Sequence, residues 1–343
     1  MRTVPLGPDD TIGEIMLGTM TYGTQTPEDD AHRQLDMAAD RGVTWLDTAE
    51  LYPVNPVRAE TLGATESIVG RWIADRGRGR LLVATKITGA GGVARGGDPF
   101  TPETLRAAVE ASLTRLQVEA IDLYQLHWPN RGSYHFRQNW GYRPRGARTA
   151  VLQDMADTAG ALSREVERGT IRAFGLSNET AWGMAEWRRL HEAGTGPLPV
   201  ALQNEYSLLC RLADTDVAEQ LHLDGVTMLA YSPLGTGLLT GKYQEGEAPA
   251  GSRRAINGDL GGRWTPRVRA AAQAYLDIAI AHGLDPVHMA LAWLRTRPFA
   301  VSAILGATTA AQLDRGLGAV DVTLPAEVIE AIDAAHKAHP MPY

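Results

Sequence analysis

"VTWLDTAELYP" (residues 43–53) is a short apolar run that ends on an acid, Asp47, and then breaks into a loop carrying Tyr52 just before Pro53. Such an ending has two explanations. Either Asp47 caps the next element and Tyr52 packs its ring, or both face a site at the end of a sheet. The rest of the chain repeats the pattern. Strand-like runs occur at "EIMLGT" (14–19), "LLVATK" (81–86), "IDLYQLH" (121–127) and "IRAFGLS" (171–177). They continue at "VALQN" (200–204), "VTMLAYS" (226–232) and "VSAILG" (301–306), which makes eight with the first.

Helical patterns separate the strands. Thr26-Pro27-Glu28-Asp29 predicts a cap residue, a proline at the first helical position and acids in the first turn. Thr101-Pro102-Glu103 repeats the device, and Leu105, Val109, Leu113 and Leu116 then form one apolar face. Strands alternating with helices, with no hairpin signal among them, require parallel crossovers. A closed (β/α)8 TIM barrel satisfies eight such strands without leaving an edge. The alternative, an open doubly wound sheet, lacks its fingerprint, since "GEIMLGTMTYG" (13–23) holds no G-x-G-x-x-G. "TVPL" and "GEIM" around Gly7-Pro8-Asp9-Asp10 predict a short N-terminal hairpin closing the barrel bottom. "PAEVIEAIDAAHKA" (325–338) predicts an extra C-terminal helix. No linker, low-complexity tract or further repeat interrupts the chain, so residues 1–343 are read as one domain.

Two segments are longer than a barrel needs. Residues 129–149 hold Tyr134, His135, Phe136, Trp140 and Tyr142, with five arginines and no acid, and residues 235–264 are rich in glycine. Loops after barrel strands lie on the C-terminal face, where barrel active sites are built. The residues that end the strands are therefore the ones to read: Asp47, Lys86, His127, Ser177-Asn178, Gln203, Tyr231-Ser232 and Gly306. One alone is a cap, a snorkelling lysine or a core histidine. Together, one fold brings them to one place.

Tyrosine is a poor acid, with an ordinary pKa near ~10. A neighbouring lysine ammonium lowers that value, so Lys86 is expected to make Tyr52 a usable proton donor. Asp47 would hold Lys86 charged, and His127 would orient the substrate oxygen or assist the proton. Such a group protonates an alkoxide as it forms on a carbonyl. It has no nucleophile, so the electrons must come from a cofactor as hydride.

The runs "LGTM" (17–20), "LDTAELY" (46–52), "ATK" (84–86), "LYQLHWP" (123–129), "GLSN" (175–178), "LQNEYS" (202–207), "LAYSPLGTGLLTGKY" (229–243) and "ILGATTAAQL" (304–313) resemble the aldo-keto reductase superfamily in order and spacing. "LGTMTYG", "HWPNR", "GLSNETA" and "QNEYSLL" are most similar to its bacterial Tas-like branch, to which the potassium channel β-subunits are related. The resemblance covers essentially the whole chain. It implies a barrel binding NADPH/NADP+ across its C-terminal face and a catalytic tetrad of Asp47, Tyr52, Lys86 and His127. It further implies that Ser177, Asn178 and Gln203 hold the nicotinamide carboxamide and that Tyr231 stacks on the ring. Ser232, Pro233, Leu234 and Gly235 would follow the pyrophosphate, with Lys242 and Arg253 on phosphate charge, or Arg254 if the loop shifts by one. Gly306, Ala307, Thr308 and Gln312 would surround the adenosine 2′-phosphate, and Arg315 would either stack on adenine or pair with that phosphate. The resemblance also implies cofactor contacts at Thr19 and Met20, with Gln25 a weaker assignment. Tyr22, Trp128 and the 129–149 loop would shape the substrate pocket.

Other motifs fail. "GTGLLTGKY" (235–243) has Thr236 where a P-loop needs its first glycine and Tyr243 where it needs Ser or Thr. "NET" (178–180) is a glycosylation sequon, but Asn178 is expected at a buried strand end. His127 has only His135 near it, so no metal-ligand spacing is present. The net charge of −7 excludes a general nucleic-acid or anionic membrane surface, and reads the arginines of 129–149 as a substrate lid or partner surface. The single cysteine, Cys210, and the lack of an apolar leader or an 18-residue apolar run suggest a cytoplasmic protein.

The leading expectation is an NADPH-dependent reductase of small-molecule aldehydes or ketones; the alternative is a nicotinamide-binding redox sensor resembling the channel β-subunits. A lyase using Lys86 as a Schiff-base nucleophile needs a depressed lysine pKa, which Asp47 is expected to oppose. The oligomeric state and the particular carbonyl are not written in the sequence.

Overall fold

The computed structural model describes residues 1–77, 79 and 81–343. Strands β1 (Thr3–Leu6) and β2 (Asp10–Gly13) pair antiparallel, Thr3 opposite Gly13 and Leu6 opposite Asp10. Their turn passes through Gly7 at φ 69°, where a Cβ would also meet Val200 Cγ1 at 2.6 Å. Only glycine accepts both conditions. Eight parallel strands then close a barrel: β3 (Ile15–Gly18), β4 (Trp45–Asp47), β5 (Leu82–Ile87), β6 (Ile121–Leu126), β7 (Ile171–Ser177), β8 (Pro199–Glu205), β9 (Thr227–Tyr231) and β10 (Val301–Gly306). They follow chain order, and β10 closes on β3 with Gly306 opposite Gly18.

The crossover helices are α1 (Glu28–Asp40), α2 (Ala64–Arg76), α3 (Pro102–Leu116), α4 (Arg148–Glu167), α5 (Ala181–Glu192) and α6 (Asp216–Asp224). Between β9 and β10 lie a single turn, α7 (Arg253–Ile256), then α8 (Val268–Ala281) and α9 (Pro286–Leu294). After β10 come α10 (Ala310–Leu317) and α11 (Ala326–Ala338), the extra C-terminal helix. The two predicted helix starts come out differently. Thr101 does cap α3 in a reciprocal capping box with Thr104. Thr26 does not cap α1: its hydroxyl bonds the Thr21 hydroxyl at 2.9 Å, and Pro27 takes the cap position without a side-chain bond. A tertiary partner outcompeted the local one.

Side chains alternate across each strand, and this positions the site. Trp45, Ala84, Leu123, Ala201 and Leu229 point into the barrel and pack with Met16, Ile304 and the hairpin residues Leu6 and Ile12. The hairpin thus fills the bottom of the barrel interior, and Trp45 Nε1 donates to Thr11 O across that seam. At positions adjacent to these, Leu46, Val83, Leu202 and Met228 face outward into the larger core beneath the helices. Two residues on, the inward positions are Asp47, Lys86, Gln125 and Gln203. The barrel is therefore apolar in its lower layer and polar in the layer above.

Candidate active site

That polar layer is a bonded unit. Lys86 Nζ donates to Asp47 Oδ2 at 2.7 Å and to the backbone oxygen of Thr48 at 2.7 Å, and its side chain is fully buried. Gln203 Nε2 donates to Asp47 Oδ1 at 2.8 Å, and Gln125 Nε2 approaches the same oxygen at 3.5 Å. Thr19 donates from both its amide and its hydroxyl to the Asp47 carbonyl, at 3.1 and 2.8 Å. Gln125 has no place among the expected site residues. Its signal is the period-two reading back from His127, which puts a polar side chain inside the barrel in the middle of an apolar run.

Above this layer, Tyr52 OH lies 3.5 Å from Lys86 Nζ, and the ammonium sits 4.8 Å from the ring centroid. The His127 ring stands edge-on to Tyr52, centroids 5.8 Å apart, and contacts the Trp128 ring at 5.0 Å. His127 Nδ1 is buried with no partner. Asp47, Tyr52, His127 and Trp128 all line one cavity of about 1660 Å³ on the C-terminal face. It is larger than a pocket for one drug-sized ligand, typically ~300–1000 Å³.

Burial dominates the electrostatics. It pushes the Tyr52 hydroxyl well above its ordinary pKa, with the Asp47 carboxylate adding to the rise. The expected lowering by Lys86 is thus overturned. The phenol is desolvated, and the lysine charge beside it is largely answered by Asp47. Lys86 itself is pulled down by burial against the opposing pull of Asp47. His127 is held well below its ordinary value by burial and by Lys86, so its ring is neutral. Both groups facing the cavity are uncharged: a phenol that keeps its proton and a neutral imidazole.

The remaining candidates divide into wall and backing. Thr19, Met20, Asn178, Gln203, Tyr231, Ser232, Pro233 and Leu234 line the cavity, as do Lys242, Arg253, Gly306, Ala307, Thr308, Gln312, Arg315 and Gln25. Ser177 and Gly235 are buried and absent from the wall. Ser177 Oγ donates to Gln203 O at 2.9 Å, which locks the ends of β7 and β8 together. Asn178 adopts φ 52°, and its side chain is committed: Nδ2 to His127 O at 2.8 Å, Oδ1 to Tyr231 OH at 2.8 Å. Tyr22 is not in the pocket. It is wholly buried in the core, its hydroxyl 3.4 Å from Gln34 Oε1, because the β3–α1 loop turns inward there.

The choice between Arg253 and Arg254 is structural. Arg254 donates to the carbonyls of Gly246 and Glu247, and its guanidinium lies 3.6 Å from the centroid of the Trp264 ring. Arg253 instead faces the cavity, half-buried and with no hydrogen-bonded or acidic partner among the described residues. Burial and the nearby Arg263 pull it down to about 10. An under-solvated cation without a counter-ion marks a place for an anion. Lys242 folds back over Gly237, where a Cβ would meet its Cε at 2.6 Å, and shares the cavity. Arg315 is engaged by Asp285, at 2.8 and 3.1 Å.

A second buried cluster braces the roof. Glu205, at the end of β8, accepts from Arg263 at 2.7 and 2.9 Å, from Arg137 at 3.2 Å and from the Tyr343 hydroxyl at 3.1 Å. One carboxylate thereby ties together the 129–149 loop, the 235–264 loop and the C-terminal segment. Arg137 and its neighbour Phe136 both have positive φ, 63° and 58°, a conformation that such side chains rarely hold without outside support. The Arg137–Glu205 pair is that support.

The model of the aldo/keto reductase family matches residues 14–337. The chain belongs to that family. It is 41% identical to Protein tas of Escherichia coli over 96% of each chain. It is 29% identical to the uncharacterized oxidoreductase YrpG of Bacillus subtilis, over 94% of this chain and 91% of the relative. To the aldo-keto reductase of Babesia bovis it is 32% identical, over 68% and 87%. These relatives make the chain an oxidoreductase of the aldo/keto reductase family. Among the described residues no helix is long and apolar enough to cross a membrane, and no group of His, Cys, Asp and Glu has metal-site geometry.

Proposed function

We propose that this member of the family reduces an aldehyde or ketone to an alcohol with NADPH, Tyr52 acting as the general acid. The observation that carries this reading is the Asp47–Lys86–Tyr52 arrangement at the floor of the large cavity, with His127 beside it.

The residues present fit a phosphorylated dinucleotide. Arg253 and Lys242 offer unpaired charge on one side of the cavity, and Thr308 and Gln312 stand at the start of α10, where backbone amides favour an anion. Gln203 commits its nitrogen to Asp47, which leaves its oxygen for a carboxamide. When bound, the nicotinamide supplies the hydride that the side chains lack. The protein's own part is the proton. A substrate carbonyl oxygen between Tyr52 OH and His127 would accept a hydrogen bond from the phenol in its ground state. As that oxygen gains charge it becomes far more basic than a phenolate, so the proton moves from Tyr52 downhill, even with the elevated phenol pKa. Lys86 then stabilises the phenolate left behind, and Asp47 keeps Lys86 in place. The unpartnered His127 Nδ1 shows that this ring's hydrogen bonding is not completed by the protein alone.

The direct test is a panel of aldehydes and ketones followed by NADPH absorbance at neutral pH, with NADH in parallel. Consumption of NADPH that is faster than with NADH, and lost in Tyr52→Phe, is the expected result. Unimpaired turnover in Tyr52→Phe would remove the tyrosine from the mechanism.

A further inference from the structure

The five arginines of the 129–149 loop look alike in sequence, but the structure sorts them. Three are anchors. Arg131 pairs bidentately with Glu179, while Arg137 and Arg148 each make a single contact, to Glu205 and Glu186. Arg143 and Arg145 are different: they line the cavity and have no acidic or hydrogen-bonded partner among the described residues. The wall around them is lopsided in charge. Four of its cations are tied to acids behind it, but Arg143, Arg145, Lys242 and Arg253 have no acidic partner among the described residues, against a single lining acid, Asp47, which Lys86 already holds. In a chain of net charge −7, such a cleft concentrates positive potential where a ligand enters.

The loop position says which ligand. Its Phe136 ring stands edge-on to Trp128 at 5.5 Å, and Trp128 contacts His127. Arg143 and Arg145 therefore belong to the loop that roofs the proton-donating side, following β6, whereas Lys242 and Arg253 follow β9. Resting on the carbonyl reductase reading above, we propose that the substrate is an anionic carbonyl compound. Its carbonyl sits at Tyr52 and His127, its body lies along Trp128 and Phe136, and its carboxylate or phosphate is received by Arg143 and Arg145. Arginine forks suit either oxyanion, which is why two such residues, spaced by Pro144, make a subsite and not a single contact.

Matched pairs test this. With NADPH as reductant, 4-carboxybenzaldehyde is compared with its methyl ester, and glyceraldehyde 3-phosphate with glyceraldehyde. A kcat/KM at least about tenfold higher for the anion in one pair is expected, and the pair concerned tells carboxylate from phosphate. In R143Q/R145Q that ratio falls about tenfold or more, mainly through KM. Arg148→Gln, which breaks only an anchor to Glu186, leaves the ratio unmoved. A wild-type ratio near one in both pairs, or a ratio unchanged in the double variant, overturns the subsite while leaving the reductase reading intact. Failure of the reductase reading looks different: no aldehyde of either charge is consumed. Calorimetry with 4-(hydroxymethyl)benzoate and its methyl ester then decides. Binding of the carboxylate alone, lost in R143Q/R145Q, sustains the subsite, and equal or absent binding of the two overturns it.

Discussion

Two buried charge clusters stand at the top of the barrel, built from the same kinds of residue, and they are finished to different degrees. Around Glu205 both oxygens are used, by Arg263, Arg137 and Tyr343, and the carboxyl is held below its ordinary range by those arginines despite burial. Around Lys86 the bonding stops short. Two donations of 2.7 Å go to Asp47 and Thr48, the contact with Tyr52 is a loose 3.5 Å, and beyond Tyr52 lies open cavity. A buried carboxylate with both oxygens already taken can only hold things together. A network whose last bond is weak and faces a cleft keeps capacity for a visitor.

The sharpest way to break that comparison is Tyr52→Phe. It removes only the loose contact, so we expect kcat to drop by about 10²–10⁴-fold while NADPH affinity and thermal midpoint barely change. Turnover within tenfold of wild type would show that the unfinished end of the network is idle. Lys86→Met strikes the inner end of the same cluster. It strands Asp47 as an unpaired buried carboxylate, and urea unfolding should show a loss of about 3–5 kcal/mol, which Tyr52→Phe lacks. Similar stability of the two variants would contradict the inner/outer distinction.

Glu205→Gln probes the finished cluster. It leaves buried Arg263 with a neutral partner, for an expected loss of about 2–4 kcal/mol. Because Arg253 and Lys242 share the 235–264 loop with Arg263, KM for NADPH should rise more than kcat falls. The reverse split would make Glu205 part of the chemistry and not of the brace.

A smaller effect concerns pH. His127 is neutral in the fold because burial and Lys86 depress its pKa, whereas in the unfolded chain it titrates near ~6.5. Below that value the unfolded state binds a proton that the native ring refuses, so stability falls as pH falls. Between pH 7 and 5.5 wild type should lose about 1 kcal/mol more than His127→Asn in paired unfolding curves. Parallel curves would mean that the ring is protonated in the native state. Smallest of all, Tyr22→Phe removes a hydroxyl with one 3.4 Å contact in the core, and should change stability by less than about 1 kcal/mol and leave substrate KM as it was. A clear rise in KM would return Tyr22 to the pocket.

The sequence by itself determined the barrel and most of its polar layer. Strand runs, helix starts and period-two alternation are local, and Asp47, Lys86, His127 and Gln203 each follow an apolar run that names their face. The same rule would have found Gln125, two residues before His127. Only the tertiary structure decided what depends on distant partners. Thr26 bonds Thr21 instead of capping α1; Tyr22 turns inward; Arg254 lies over Trp264 while Arg253 faces the cleft; three of five similar arginines meet buried acids and two do not. The direction of the Tyr52 shift belongs here too. A nearby lysine can be read from the chain, but desolvation, the larger effect, exists only once the barrel has closed around the pair.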